Sequence, residues 1–410
     1  MIEIRRLCAE DLIPYYKMKA VVYNRRRDCS DESAINRNLG TLVEAFDAAP
    51  WHWGVFDNGR LISGMLENEF LMRFDGNEVP MAGIGGVGTL PEARKGGLVR
   101  IMYEKFFHEA FDKGVIFSCL RPFSHAFYRK FGYEFTFTRH TLTVPAREFA
   151  HEKLRGTFTH IFPGDDFSAL KEVHKTYIAP LNQSISREYW PNDRAWKIFT
   201  KDDPYASGNY LYLWRDESGK PRGYIKYNDI EKDREHTMNI RELVFTDPDA
   251  LRGVMSIIGG LEAQFKKITW NMPQYLNFTD FINAGDNKDI ELKVLPATMT
   301  MCRVMNVKAA LQMMRRPAGE GAYVIGVEDP FISANNGRFL VEYGPGGSQV
   351  SQTQKEPDLS CDIPSLSQLI IGYRTLQNAL FSRRGLEVAG NREILDRVFT
   401  IQPIHLTEDF

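Results

Sequence analysis

The sequence has little of what marks a secreted, membrane-spanning or metal-dependent protein. Its five cysteines are scattered without a C-x-x-C pair, and its nine histidines are equally dispersed. This spacing argues against a disulfide framework and a zinc cluster, so we expect no bound metal and a reducing, cytoplasmic location. The first residues lack the basic-then-apolar layout of a signal peptide, and no run of about 18 apolar residues occurs.

The chain also lacks an excess of charge of either sign. Its 51 lysines and arginines nearly balance 53 aspartates and glutamates, which leaves a formal charge of −2. No global field would attract nucleic acid or an anionic membrane, and we expect neither as a partner. With 410 residues, the chain is too long for one ordinary core, so two or three domains are expected.

Helix and strand signals alternate along the first part of the chain. A helix is predicted over 11–22, and a hairpin over 51–70 turns at Asp57-Asn58-Gly59. The signals that follow are a glycine-rich strand (81–90), an amphipathic helix (98–111), a strand (115–120), a short helix (124–131) and a strand (133–144). This order predicts a mixed sheet with helices on its faces.

The junction between the glycine-rich strand and the next helix has the chemistry of an anion site. It reads V-G-T-L-P-E-A-R-K-G-G-L-V-R over 87–100. The glycines allow a tight turn, and the N–H groups at the start of the helix would face it together with basic side chains. The layout suits a pyrophosphate, although an ordinary surface turn can carry the same short pattern.

A second motif, A-F-Y-R-K-F-G-Y, occupies 126–133. Ser124 is placed to cap the short helix and Gly132 to end it. We assign Phe131 and Tyr133 to the core. The Tyr128 hydroxyl needs a hydrogen-bond partner if it is buried; a thiolate leaving group would provide one, and a place in the core is the alternative.

Together, Arg94-x-x-Gly97 and Tyr128-x-x-Phe-Gly-Tyr133 resemble the Gcn5-related N-acetyltransferase (GNAT) superfamily. Its loop is [Q/R]-x-x-G-x-[G/A], and the last small residue is replaced here by Val99. The enhanced intracellular survival (Eis) family of acetyltransferases has an aliphatic residue there too. The stretches M-x-R-V-M-N-V at 301–307 and D-P-F…N-x-G-x-F at 329–339 resemble that family's third domain.

The resemblance implies an α+β (mixed α/β) chain of two tandem GNAT-like domains followed by a sterol-carrier-protein-like α+β domain. The catalytic, acetyl-CoA-binding domain would span 1–150, a degenerate copy 151–292 and the third domain 293–410. In the second copy Asp247-Pro248-Asp249 replaces the basic loop and would repel phosphate, so one acetyl-CoA per chain is expected. The resemblance also implies a trimer or hexamer.

The roles of individual residues follow from the chemistry of Tyr128 and of the strand end at Val87, and the resemblance implies the terminal carboxylate. Tyr128 would be the general acid, the Val87 N–H the oxyanion donor, and the terminal carboxylate of Phe410 the base. Apart from the resemblance, a cationic amine needs acidic residues near it; Asp28, Glu67, Glu408 and Asp409 are candidates, and an ordinary solvated charge is the alternative for each. Trp51, Trp53 and Phe70 are candidates to line the pocket, and core packing is the alternative for at least two of them. The acetyl-CoA contacts would be Val87, Gly88, Thr89, Lys95, Gly96, Gly97, Leu98, Val99, Arg100, Phe123 and Ser124.

We therefore expect an acetyl-CoA-dependent N-acetyltransferase that acts on a primary amine of a small cationic acceptor, similar to an aminoglycoside or a polyamine. The amine would attack directly in a ternary complex. Two alternatives remain open. One is an acyl-CoA-binding regulator or lipid-binding scaffold without turnover, and the other is a protein lysine acetyltransferase.

Overall fold

The computed structural model of the protein describes residues 1–24, 52–149, 152–189, 191–283, 288–294, 300–382, 385–406 and 408. The first part of the chain contains β1 (Ile2–Arg6), α1 (Leu12–Val22), β2 (His52–Asp57), β3 (Arg60–Phe74), β4 (Asn77–Thr89), α2 (Leu98–Asp112), β5 (Phe117–Leu120), α3 (His125–Arg129), β6 (Glu134–Phe137) and β7 (His140–Pro145).

The middle part contains β8 (Thr157–His160), α4 (Ser168–Ile178), β9 (Ile185–Ser186), α5 (Arg194–Phe199), α6 (Pro204–Ser207), β10 (Asn209–Arg215), β11 (Pro221–Lys232), β12 (Glu235–Phe245), α7 (Pro248–Leu261), β13 (Lys267–Met272) and β14 (Glu291–Val294). The last part contains β15 (Thr300–Val304), α8 (Val307–Met313), β16 (Gly321–Glu328), β17 (Gly337–Gly344), β18 (Gly347–Gln352), β19 (Leu359–Asp362), α9 (Ile363–Ile371), α10 (Leu376–Leu380), β20 (Leu386–Val388) and α11 (Arg392–Val398).

These strands form three sheets. The first has the order β1-β2-β3-β4-β5-β15-β6, with β9 added beside β3; the second runs β14-β7-β13-β12-β11-β10-β8 and the third β18-β17-β16-β19-β20. A parallel pair joined through one helix occurs in both of the first two sheets, as β4-α2-β5 and β12-α7-β13. The repeat confirms the predicted mixed α/β architecture with two related sheets and a third, smaller one.

The sheets exchange strands across the predicted domain boundaries. β7 lies within 1–150 but pairs with β13 and β14 of the second sheet. β15 lies within 293–410 but pairs with β5 and β6 of the first sheet. The single strand predicted over 133–144 is therefore wrong. β6 pairs within the first sheet and β7 within the second, so the chain passes from one sheet to the other between them. Boundaries at 150 and 292 stay predictions.

The first and third sheets share one hydrophobic core. Met72, Met81 and Phe117 of the first sheet cluster with buried residues of α9 such as Leu366 and Ile370. The last part of the chain is therefore packed directly against the sheet that carries β4 and β5. None of the helices in the described ranges combines the length and apolar character needed to cross a membrane.

The last described residues run beside the segment that contains β9. The Asn182 N–H donates to the Pro403 carbonyl at 2.8 Å, and Ser184 Oγ donates to the His405 carbonyl at 2.5 Å. His405 Nδ1 lies 2.6 Å from the Tyr177 hydroxyl. Because burial lowers the pKa of His405 to about 4, the ring is neutral at pH 7, and the tautomer decides which of the two groups donates this hydrogen bond.

Buried histidines make stability depend on pH. Burial lowers the pKa of His405 to about 4 and that of His174, which also faces Arg187, to about 3. The unfolded chain takes up these protons near pH 6.5, whereas the folded chain does not. Each histidine should therefore lower the free energy of unfolding by about 1.5 kcal/mol between pH 6.5 and pH 5. Urea denaturation at several pH values measures this slope.

The His405→Gln variant should show a shallower slope, because glutamine keeps an acceptor for Tyr177 and does not titrate. His108→Gln is the control, since His108 is exposed on α2 and its removal should leave the slope as it is. Equal slopes in the wild type and in His405→Gln would contradict the assignment.

Candidate active site

The site begins where β4 and β5 part. Their parallel pairing runs from Met81 and Phe117 to Ile84 and Leu120 and ends there, while β4 continues to Thr89. Backbone groups along 85–89 on that edge of β4 thus face a gap between the strands. In an extended segment, such an edge can pair with the amides of a ligand as it would with another strand.

A bulge in β4 lies at the same level. β3 and β4 pair at Gly64 with Gly88 and at Leu66 with Gly85, so two residues of β4, Gly86 and Val87, oppose one residue of β3. Gly86 has φ +59°, and a Cβ there would lie 3.0 Å from the Tyr15 hydroxyl oxygen. Glycine is therefore required by both the backbone conformation and the close approach of α1.

The bulge leaves Val87 facing the gap. Its neighbours face β3, since the Gly88 carbonyl accepts from Ser63 and the Leu90 N–H donates to Ile62 at 2.9 Å. Val87, for which the sequence predicts the oxyanion donor, lines this gap. The Val87 carbonyl accepts a hydrogen bond of 2.9 Å from Tyr23, a contact that no local pattern indicated.

The loop that follows β4 leads into α2 through left-handed residues. Lys95 and Gly97 have φ of 70° and 71°, and Gly97 is the N-cap of α2. Since glycine has no side chain to cap the helix, the first N–H groups of α2 are left to the loop. They present the positive end of the helix dipole beside Arg94 and Lys95.

The gap and the loop enclose a cavity of about 650 Å³. All of the predicted acetyl-CoA contacts except Ser124 line it, and the remaining lining residues are Val22, Tyr23, Ala93, Arg94, Phe127 and Phe131. Ser124 instead accepts a hydrogen bond from the Phe127 N–H and caps α3. The cavity therefore has a cationic loop at one side and an apolar wall of phenylalanines at the other.

Tyr128 lies behind this phenylalanine wall. Its ring is 3% exposed and contacts Phe123 and Phe127 edge-on, with centroids 5.3 and 5.2 Å away. Burial raises the pKa of Tyr128 well above its usual value, so the hydroxyl is protonated at neutral pH. The Tyr133 hydroxyl is bonded to Ser118 Oγ at 2.7 Å, whereas within the described residues the Tyr128 hydroxyl makes no hydrogen bond.

A buried ion pair supports the turn after Tyr128. Arg303 and Asp329, both fully buried, pair at 2.7 Å, and Arg303 also donates to the Phe131 carbonyl at 3.0 Å. A Cβ on Gly132 would lie 2.0 Å from the Arg303 guanidinium, and Gly132 has φ +82°. The motifs at 301–307 and 329–339 thus hold the 128–133 motif in place.

Glu67 does not occupy a site for a cationic amine, contrary to the prediction. Its side chain is 1% exposed, pairs with Arg6 at 2.7 Å and accepts from Trp53 Nε1 at 2.8 Å. Burial raises the pKa of Glu67, while Arg6 opposes that rise. The carboxylate is therefore closed to a ligand, and its Oε2 is already engaged by Arg6 and Trp53. Trp53 and Phe70 are core residues, 1% and 4% exposed.

Several predicted residues lie outside the described part of the chain, namely Asp28, Trp51, Asp409 and Phe410. The described residue nearest to the end is Glu408, whose carbonyl accepts from Arg121 Nη2 at 3.4 Å. Arg121 directly follows β5, and Phe123 of the cavity wall is two residues further on. The last described residue therefore lies beside the loop that carries the cavity wall.

The corresponding helix of the second sheet has no room for an anion at its start. Asp247 caps α7 and accepts from the N–H groups of Asp249 and Ala250 at 3.0 Å. Burial opposes the ionised form, but the Arg222 guanidinium and these N–H groups lower the pKa of Asp247 to about 2. The Asp247 carboxylate occupies the position at the start of α7 that a phosphate would need. This favours a structural role for the second GNAT-like sheet.

Three family models match successive parts of the chain. An acetyltransferase (GNAT) domain matches residues 3–136, a second acetyltransferase (GNAT) domain matches 186–304, and a sterol carrier protein domain matches 307–406. This chain is a GNAT-superfamily N-acetyltransferase. The resemblance based on the 94–97 and 128–133 motifs is thereby confirmed. A comparison with curated proteins returns no match.

Solved structures with the fold of this acetyltransferase span its whole length. A conserved protein of Enterococcus faecalis V583, described as a probable N-acyltransferase, has a TM-score of 0.83 at 20% identity. A GCN5-related N-acetyltransferase from Anabaena variabilis ATCC 29413 has 0.84 at 18%, and Eis1 from Mycobacterium abscessus has 0.79 at 19%. Each match covers 100% of both chains. The acetyltransferase therefore shares its fold over the whole chain with these three proteins.

The Gly86→Ala variant tests the bulge in this acetyltransferase. The methyl group would combine a positive φ with a close contact to Tyr15, so the free energy of unfolding should fall by about 2 kcal/mol or more. Gly59→Ala is the matched control. Gly59 has φ +80° in a hairpin turn, and its Cβ would meet nothing within 4 Å, so only the backbone cost of about 1 kcal/mol applies. Equal losses, measured by urea denaturation, would contradict the role of the Tyr15 contact.

Proposed function

We propose that the protein transfers an acetyl group from acetyl-CoA to a primary amine of a small cationic acceptor. One acetyl-CoA would bind per chain, and the amine would attack it directly in a ternary complex. The observation that carries the proposal is the cavity between β4 and α2, with its open strand edge and its cationic, glycine-containing loop. A trimer or hexamer is proposed as the assembly.

The residues around this cavity fit acetyl-CoA in its two chemical parts. The N–H groups at the start of α2, with Arg94 and Lys95, suit a pyrophosphate. The open edge of β4 at 87–89 suits the amides of pantetheine. On this edge the Val87 carbonyl already accepts a hydrogen bond from the Tyr23 hydroxyl. When bound, acetyl-CoA supplies an acyl group activated as a thioester. The Val87 N–H would then stabilise charge on the acyl oxygen.

Two proton positions complete the reaction. As the amine nitrogen bonds to the acyl carbon and the C–S bond breaks, the nitrogen loses a proton and the sulfur needs one. We assign the first proton to the terminal carboxylate of Phe410, directly or through a water. We assign the second to Tyr128. Because burial raises the pKa of Tyr128, its hydroxyl would first donate a hydrogen bond to the leaving sulfur and transfer the proton afterwards.

The preference for a cationic acceptor is a proposal that depends on acidic groups near the end of the chain and near residue 28. Glu67 is no longer among them, because it is buried and already paired with Arg6. Asp28 and Asp409 remain candidates. The description of the Enterococcus faecalis protein as a probable N-acyltransferase supports nitrogen as the acceptor atom.

A regulator or lipid-binding scaffold without turnover is the alternative, motivated by the match of 307–406 to a sterol carrier protein domain. Incubation with acetyl-CoA and a panel of polyamines, aminoglycosides and lysine-containing peptides, with detection of free thiol, separates these functions. Release of CoA with small amines supports the proposal. Binding of acetyl-CoA without thiol release would favour the scaffold, and release with peptides alone would favour a lysine acetyltransferase.

The Tyr128→Phe variant should lower kcat by about 100-fold, because the leaving sulfur loses its proton donor. The KM for acetyl-CoA should change little, since the aromatic ring is retained. Tyr133→Phe is the control: it removes a buried hydroxyl bonded to Ser118 and should lower stability without lowering kcat. Similar kcat values for Tyr128→Phe and the wild type would refute the acid role.

Removal of Phe410 should lower the single-turnover rate of acetyl transfer by about 100-fold or more, because the new terminal carboxylate lies one residue short. The Phe410→Ala variant keeps the carboxylate at its position and should retain much more activity. If the two variants lose the same activity, the phenylalanine ring is the group that matters and the carboxylate is not the base.

A further inference from the structure

Arg187, just after β9, is enclosed by the second domain. It is 3% exposed, and its guanidinium lies over the rings of Phe199 and Trp196, 4.0 and 5.0 Å from their centroids. Its two terminal nitrogens donate to the Glu242 carboxylate at 3.0 and 2.6 Å, and one of them also donates to the Tyr224 hydroxyl at 3.1 Å. Packing and hydrogen bonds thus fix the orientation of the guanidinium.

The free edge of this guanidinium binds the end of the chain. Arg187 Nε donates to Glu408 Oε1 at 2.8 Å, and Nη2 lies 2.7 Å from the same oxygen. The Glu408 side chain is 21% exposed, so this ion pair is largely removed from solvent. A pair with a buried, oriented partner is stronger than one between two mobile surface groups.

Glu408 also contacts the first domain through its backbone. The Arg121 guanidinium donates to its carbonyl at 3.4 Å. One residue of the tail is therefore held from two sides, by the second domain through its carboxylate and by the loop after β5 through its carbonyl. Upstream, the Asn182 and Ser184 hydrogen bonds to 403–405 align the tail before it reaches Glu408.

We propose that Arg187 is a positioning residue that holds the C-terminal carboxylate in the active site through Glu408. This inference rests on the proposed function, in which the Phe410 carboxylate is the base. Two residues span about 7 Å at most, so anchoring Glu408 would limit how far a base two positions beyond it can move. In this proposal the second domain, in which Asp247 caps α7, contributes to catalysis by anchoring the tail.

The Glu408→Gln variant tests this in the full-length enzyme, because Gln keeps the size of the side chain and removes its charge. We expect kcat to fall about tenfold while the KM for acetyl-CoA stays the same, since Glu408 does not line that cavity. Glu393→Gln, an exposed position on α11, is the matched control and should keep wild-type kcat. Thermal denaturation of each variant checks that the fold is intact.

A double-mutant cycle separates positioning from any direct effect of Glu408. In enzyme that lacks Phe410, Glu408→Gln should cause no further loss of kcat, because the group that it positions is gone. A further tenfold loss in that background would overturn the proposal. So would wild-type kcat for Glu408→Gln in the full-length chain.

Release of Phe410 by a carboxypeptidase provides a readout that does not depend on acetyl transfer. The tail of the Glu408→Gln variant should lose Phe410 about tenfold faster than the wild type and Glu393→Gln, because the open state of the tail is more populated. Equal release rates would refute the anchor. If release is faster but removal of Phe410 leaves turnover unchanged, the anchor is confirmed, whereas the positioning role and the proposed base are both wrong.

Discussion

The parting of β4 from β5 beyond Ile84 and Leu120 is the constraint on which the active site depends. A parallel pair that continued to Thr89 would satisfy the backbone of β4 and leave no edge for a ligand. The bulge at Gly86 turns Val87 towards the gap, and the same divergence opens the space into which the N-terminus of α2 points. Glycine at 86 and 97 lowers the backbone cost of this geometry.

The parts of the chain depend on one another for this geometry. β15, from late in the sequence, fills the position between β5 and β6, and Arg303 at its centre supports the turn after Tyr128. Arg187 and its partner Glu242 lie in the second domain, yet they contact the tail that reaches Arg121. The residues that support the candidate site therefore come from the first and second sheets, although the cavity itself lies at the first.

The cavity between β4 and α2 could be predicted from the sequence because its determinants are local. Positions 87–100 contain a strand end, a loop and a helix start, so residue type and spacing alone indicate the chemistry. Glu67 was assigned wrongly because its neutralising partner, Arg6, lies on a different strand. Tyr23 and Arg187 were missed for the same reason, since only the fold brings them to Val87 and Glu408.

The same distinction explains the predictions of fold. The repeated strand–helix–strand order and the Asn58-Gly59 hairpin were recognisable because periodicity and turn chemistry are local signals. The break between β6 and β7 was not recognisable, because the alternation of residues continues unchanged where the chain passes from one sheet to the other. Likewise, nothing in the composition of β15 indicates that it completes a sheet begun near residue 2.

The place of β15 has a consequence for how the enzyme is made. During synthesis the first sheet cannot close until residue 304 has left the ribosome, so β5 and β6 wait with unpaired edges while the second sheet is built. Such late pairing slows folding and creates a period of vulnerability to aggregation. A gene fragment that encodes only the first 150 residues would retain the loop and Tyr128 but would lack the strand that joins β5 to β6.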